Sequence, residues 1–267
     1  MISKKALGAA SLGGVLAVLL TSCSTPSASN VSAGAVQDAA TPTASSVTKA
    51  DGVMALPFNA GKLLGGNAAP TIAAGEPGQV SVVATGPLAK DAALGSGVLT
   101  FAFRNNTAKA ISHVDFTATA KAGGKLVASG SSQDVVPAQV QPGEAGFGFI
   151  YFEDVSSVPD AGVDYAFRAS TSSADKSSYN TAPLRVTEAN HNGTSIIGGA
   201  VNETGAQLTG PYSVGIYCLD GDTLTASTVD FATEDGDVEP GGTVSFSHDL
   251  YETKCDTFTV GVSGWFK

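Results

Sequence analysis

Apolar and polar positions alternate with a period of two along much of the second two-thirds of the chain. Leu99, Phe101 and Phe103 share one face of a short run; Val114, Phe116, Ala118 and Ala120 share another; Tyr212, Val214, Ile216 and Cys218 share a third. Successive side chains of a strand point to opposite sides, so each run predicts a strand with one buried face. Ala122-Gly123-Gly124 and Asp220-Gly221-Asp222 each separate two such runs, and Asp-Gly is a strong hairpin signal. Pro142-Gly143 and Pro240-Gly241 mark turns before the strands "FGFIYF" and "TVSFSHDL". The closing strands are "DYAFRAS" and "DTFTVGVSGW". Short strands about 8–12 residues apart, with turns between them, predict an all-β fold built of immunoglobulin-like β-sandwiches.

The strand pattern occurs twice. A shift of 98 residues lays Gly95–Ser129 on Gly193–Ser227 without a gap, and the same shift lays Val140–Gly143 on Val238–Gly241. Gly95/Gly193, Ala108/Ala206, Leu126/Leu224, Ala128/Ala226 and Ser129/Ser227 are identical pairs. Shared register over that length predicts two copies of one domain. In this register Leu99, Phe101 and Phe103 correspond to Ile197, Gly199 and Val201, which are therefore expected on the buried face of the second copy. The resulting division is a first sandwich over 74–172, a junction over 173–182 and a second sandwich over 183–267.

The first 73 residues have no such pattern. Lys4 and Lys5 precede an apolar core, Ala6–Leu20, interrupted by Gly8, Gly13 and Gly14. This is short for a spanning helix, which needs about 20 apolar residues, and it predicts a signal peptide over 1–22. Leu20-Thr21-Ser22-Cys23 resembles the lipobox of bacterial lipoproteins: an aliphatic residue, two small residues and a cysteine. The resemblance implies a diacylglycerol on Cys23, cleavage just before it, and a protein held on the extracytoplasmic face of the cell membrane. Two or more acyl chains suffice for stable anchoring. Residues 23–73 are rich in Ser, Thr, Ala and Pro and nearly uncharged, and they are expected to be a flexible tether. About 50 such residues span about 40 Å. Within them "VMALPFNAGKLLGG" (Val53–Gly66) is more apolar, and docking of this stretch on the first sandwich is the alternative.

The motifs "FAFRNNT", "GAVNET", "VGIYCLDGDTL" and "VEPGGTVSF" together resemble the FxLYD-type sandwich domains of bacterial envelope lipoproteins. The resemblance covers about residues 80–170 and 184–265. The first copy departs from it, because "FTATAKAGGKL" lacks the Tyr-Asp of the hallmark strand. These motifs are structural. They imply a fold and a location, and they bring no catalytic residue with them.

Cys218 ends one strand and Cys255 precedes another. In an immunoglobulin-like topology these ends meet at one pole, so a disulfide is expected in an oxidising compartment; two buried free thiols are the alternative. Candidate chemistry elsewhere is thin. Ser46–Lys49 and Ser173–Lys176 match Ser-x-x-Lys without the accompanying motifs. His113, His191 and His248 are scattered. Neither a cofactor nor a metal site is expected. The sequons at Asn105, Asn192 and Asn202 are read as turn chemistry. Net charge is −10, and removal of a leader holding two lysines and no acids takes it to −12, which argues against nucleic-acid binding. From Asn180 onward 12 acidic residues face 3 basic ones, and Glu234, Asp235, Asp237 and Glu239 crowd one loop. That loop is a candidate interaction surface; a calcium site would need six to eight oxygens at defined spacing. The expectation is a membrane-anchored, non-catalytic binding or scaffolding module with an envelope-protein or cell-wall partner. The alternative is an envelope hydrolase, or an enzyme accessory subunit, with its site at the domain junction.

Overall fold

The computed structural model describes residues 52–251 and 253–267; Cys23, the leader and the tether up to Asp51 lie outside the described residues. Among the described residues the protein is all-β. The strands are β1 (Gly65–Gly66), β2 (Val80–Asp91), β3 (Ser96–Asn105), β4 (Ile111–Ala122), β5 (Lys125–Val136), β6 (Ala145–Phe152) and β7 (Val163–Ser173), followed by β8 (Thr181–His191), β9 (Ser195–Val201), β10 (Leu208–Asp220), β11 (Thr223–Phe231), β12 (Thr243–Asp249) and β13 (Thr257–Phe266). They form two curled antiparallel sheets, ordered β2-β3-β6-β5-β4-β7 and β11-β10-β13-β8-β9-β12, with β1 added to β13.

Each half contributes six strands, and both halves follow the same cycle of neighbours. The first half is open between its sixth and first strands, β7 and β2. The second is closed there, where Thr181–Leu184 of β8 pair with Val262–Trp265 of β13, and open between its fifth and fourth strands, β12 and β11. Side chains bridge that second opening. His248 of β12 lies 2.8 Å from Asp230 Oδ2 through Nδ1 and 3.0 Å from Thr228 Oγ1 through Nε2. Burial pushes the Asp230 carboxyl up, but the hydrogen bonds from His248 and from the Phe231 N–H outweigh it and leave it below its ordinary value.

Each sandwich has its own core. Leu99, Phe101, Phe103, Phe116, Ile150 and Phe152 centre the first; Ile196, Ala200, Val214, Ile216, Phe258 and Val260 centre the second. Both central hairpins, β4–β5 and β10–β11, bulge at the same place, after Ala120 and after Cys218. The 98-residue shift therefore describes these strands. It does not describe β9. Asn105 and Asn202 make the same bonds one residue closer in register: each side-chain amide donates to two carbonyls, Lys109 and Val140 in one copy and Ala206 and Val238 in the other. Thr107 and Thr204 each donate a hydroxyl proton to that Asn. The shift is thus 97 through β9 and returns to 98 within β10, where the bulge between Thr209 and Ser213 holds one residue more than that between Ser112 and Asp115. A one-residue slip turns a strand over. Ile196 and Ala200 face the core, fully buried, while Ile197 is 39% exposed, which corrects the expected inward set of Ile197, Gly199 and Val201.

The end of the expected tether is not a tether. Residues 53–73 form a strap that runs between the sandwiches, touching both rather than the first alone. Leu56 N–H donates to the Gly143 carbonyl, and Val186 N–H donates to that of Leu63. Gly65 and Gly66 pair with Val260 and Thr259 of β13. Gly65 has no room for a side chain, because a Cβ there would stand 2.3 Å from Val186. Composition predicted a segment unable to bury apolar area. The strap succeeds because its backbone is hydrogen-bonded to both halves and Phe58, Leu64 and Ile72 pack in a third core. That core also takes Ala102, Val136 and Phe147 from the first half and Tyr217, Leu219 and Leu224 from the second.

Arg104 clamps the strap. This residue of β3 is 1% exposed, and its guanidinium donates to the carbonyls of Leu56, Ile72, Ala73 and Gly143 at 2.5–2.9 Å. Burial lowers its pKa, yet the four carbonyls take four of its five N–H donors. Beside it the Asn106 amide holds Ala74 and Glu76.

Candidate functional site at the junction of the two sandwiches

The halves meet through a knob and a hollow. Gly215 of β10 and Gly261 of β13 are cross-strand partners, and the missing side chains leave a depression on the outer face of the second sheet. Val136, at the end of β5, fills it; a Cβ on Gly261 would stand 2.5 Å from the Val136 Cβ. Next to this contact the two halves diverge into a cleft of about 320 Å³. Gln133 and Asp134 of β5 and Phe149 of β6 form one wall; Ser213 of β10, Phe231 of β11 and Trp265 of β13 stand among the residues of the other.

Asp134 is the charged group of the cleft. Ser213 donates its hydroxyl proton to Asp134 Oδ2 at 2.7 Å across the junction, and the Val135 N–H donates to Oδ1 at 2.8 Å. Burial pushes the Asp134 carboxyl above its ordinary range; the two hydrogen bonds oppose this, and nearby Asp115 adds to it. Around the carboxyl the surfaces are aromatic. Phe231 is 59% exposed, and Trp265, the single tryptophan of the chain, has the His113 ring tilted beside it at 6.0 Å between ring centroids. Such a cleft offers π-faces beside one strong acceptor, a pairing that suits a ligand with an apolar face and hydrogen-bond donors. No histidine stands among the lining residues, so no imidazole lies between Ser213 and Asp134 to activate the hydroxyl.

The residues singled out from the sequence are not part of this cleft. Cys218 and Cys255 are joined by a disulfide, with Cα atoms 5.0 Å apart. Cys255 lies before β13 begins, which frees it from the alternation of that strand. The acidic loop does not converge. Glu234 accepts from the N–H and hydroxyl of Ser245, Asp237 pairs with Lys267, and Glu239 accepts from the Gln207 amide at 2.5 Å. Hydrogen bonds from Ser245 and Lys267 hold the Glu234 and Asp237 carboxyls below their ordinary values. Asp235 touches the chain through its backbone, which crowds Gly210. Among the described residues no group of three His, Cys, Asp or Glu is placed to hold a metal. The three sequon asparagines are turn residues: Asn192 accepts from the Ser195 N–H as Asn105 and Asn202 serve their own loops.

Pattern reading missed Asp134, Ser213 and Trp265 because each belongs to an outward face, where alternation predicts solvent. The signal available was the pair of glycines in β10 and β13, each at a position where alternation calls for a side chain on the outer face. No protein-family model matches the chain, and no curated protein matches it in sequence.

Proposed function

We propose that the protein is a membrane-anchored extracytoplasmic lipoprotein of FxLYD-like type, lipidated on Cys23, and that its two sandwiches act as one non-catalytic binding or scaffolding head in the cell envelope. The observation that carries the reading is the strap. Residues 53–73 and the shared core join the sandwiches into one body, so the cleft between them is preformed rather than hinged, and a preformed surface binds without an ordering cost. The short region 24–52 then serves as the spacer from the membrane, and the partner is an envelope protein or a cell-wall component. Labelling cells with a radioactive fatty acid and fractionating them tests the anchor: the wild-type chain carries label in the membrane fraction, and Cys23→Ala loses both. A Cys23→Ala chain that stays processed and membrane-bound overturns the reading. Cross-linking from the cleft, with a photoreactive residue at Phe231, tests the partner.

A second reading rests on Asp134. A buried carboxyl with a raised pKa in a cleft is a feature shared with enzyme sites, so an envelope hydrolase or accessory subunit acting at the junction is the competing function. Asp134→Asn keeps an acceptor oxygen and removes the carboxyl, which separates the two: it abolishes turnover of an envelope substrate if the carboxyl does chemistry, and only weakens partner cross-linking from Phe231 if the cleft binds without chemistry.

A further inference from the structure

The strap has an empty counterpart in the first sandwich. Ala120 and Cys218 both precede the bulge shared by the two central hairpins, and their partners on the sixth strand are Tyr165 and Phe258. These two positions are therefore equivalent. At Phe258 the strap supplies a strand: the N–H groups of Asn67 and Ala68 donate to the Phe258 carbonyl, and the Phe258 N–H donates to Asn67 Oδ1. At Tyr165 a groove of about 550 Å³ lies open instead, between Leu88 of β2, the loop at Asp160–Gly162, and Val163 and Tyr165 of β7.

Three observations give the groove its chemistry. Among the described residues β7 has a backbone partner on one side only, β4, so its other edge presents unpaired N–H and C=O groups. The inward side chains of β7, Val163, Tyr165 and Phe167, are only half-buried, whereas Phe258 and Val260 of β13 are at most 1% exposed. And the one cation of the wall, Lys90, is already bound to Asp160 and to the Val158 carbonyl. The vacancy thus asks for backbone and apolar contact rather than charge.

We propose that the groove between β2 and β7 receives an extended, uncharged peptide segment of a partner protein, added antiparallel to β7 as β1 is added to β13. Main-chain hydrogen bonds to the β7 edge supply the affinity, and the half-exposed faces of Val163 and Tyr165 select small apolar residues, as in other strand-addition complexes. The inference rests on the reading of the protein as a binding module and deepens it.

Hydrogen exchange read by mass spectrometry tests it on the full chain, with a terminally blocked peptide of the strap sequence, Leu63–Pro70, as the uncharged probe. Bound peptide slows exchange of the amides at 163–167 by about tenfold or more, and does so saturably. Ala161→Trp fills the groove from an exposed loop position, and it removes the slowing while leaving the thermal midpoint unchanged. The proposal is overturned by no slowing at about 1 mM peptide, a concentration that reports even weak binding. It is equally overturned by slowing confined to β13, which marks exchange with the native strap, or by slowing that survives Ala161→Trp. Slowing of β7 that rises with protein concentration in the absence of peptide makes a second copy the occupant and also overturns it. If an envelope partner cross-links at Phe231 while β7 stays unprotected, this inference fails and the binding-module reading stands.

Discussion

The two sandwiches fill one equivalent space from opposite sides. In the first, Phe101 of β3 lies over its cross-strand partner Gly148 of β6; in the second, Phe246 of β12 lies over its partner Gly198 of β9. The aromatic ring is kept and its strand is exchanged. Outer faces behave differently. The pair Thr117–Arg168, on β4 and β7, is exposed, while its equivalent, Gly215–Gly261, is buried under Val136. Cores conserve volume because packing fixes it. Outer faces follow whatever covers them, and only the second sandwich has its central outer face covered by the first.

The largest test of this comparison exchanges the rings. Phe101→Gly leaves a cavity and costs about 4 kcal/mol. Adding Gly148→Phe recovers most of that in urea denaturation, since the three atoms nearest to a Cβ at 148 belong to the Phe101 ring. The reciprocal exchange in the second half, Phe246→Gly with Gly198→Phe, is not rescued: the Glu188 carbonyl would stand 2.3 Å from the new Cβ. Equal rescue in both halves breaks the argument. Next in size is Arg104→Ala. It strands the three strap carbonyls of Leu56, Ile72 and Ala73 and costs about 3 kcal/mol, with the amides of 63–68 losing exchange protection before either core does. Smaller still is Gly261→Ala. Overpacking against Val136 costs about 2 kcal/mol, and Val136→Gly in the same chain, which removes the clashing Cβ, recovers part of it, whereas Thr117→Ala on the uncovered face changes stability by less than about 0.5 kcal/mol.

The smallest effect is electrostatic and reads as a slope. Because burial raises the Asp134 pKa, its contribution to stability is complete below the ordinary aspartate value and is lost as pH rises through the raised one. The wild-type melting temperature therefore drops relative to that of Asp134→Asn across that window, and the variant is the more stable chain at neutral pH. A variant with the wild-type slope assigns the dependence to other groups.

Strand identity, hairpins and the central register of the repeat were legible because side-chain alternation and glycine turns declare them, and the pairing of Cys218 with Cys255 followed from the topology, which brings two strand ends to one pole. The face of β9 was not. Ile196 and Ile197 are both apolar and Gly198 and Gly199 are both bare, so four consecutive residues carry no phase, and the compensating residue lies downstream in the Gly210–Pro211 bulge. The strap was illegible for a different reason: its strand pairing and its bonds to Arg104 use carbonyls and N–H groups that every sequence possesses, and its few apolar anchors, Phe58, Leu64 and Ile72, follow no period. The cleft combines both difficulties. Asp134 and Ser213 lie 79 residues apart and meet only because two glycines let the halves close.

The strap also ties chain order to completion of the fold. Gly65 is among the earliest described residues to be synthesised, and its partner Val260 is among the last. A nascent chain can assemble the first sandwich core, but Leu64, Gly65 and Gly66 have no second wall until β13 exists. Loss of the final strand would therefore unseat the opening segment about 195 residues away, the separation at which loop-closure entropy weighs most on folding rate. Proteolytic susceptibility near residue 60 thus becomes a gauge of whether residue 260 is in place.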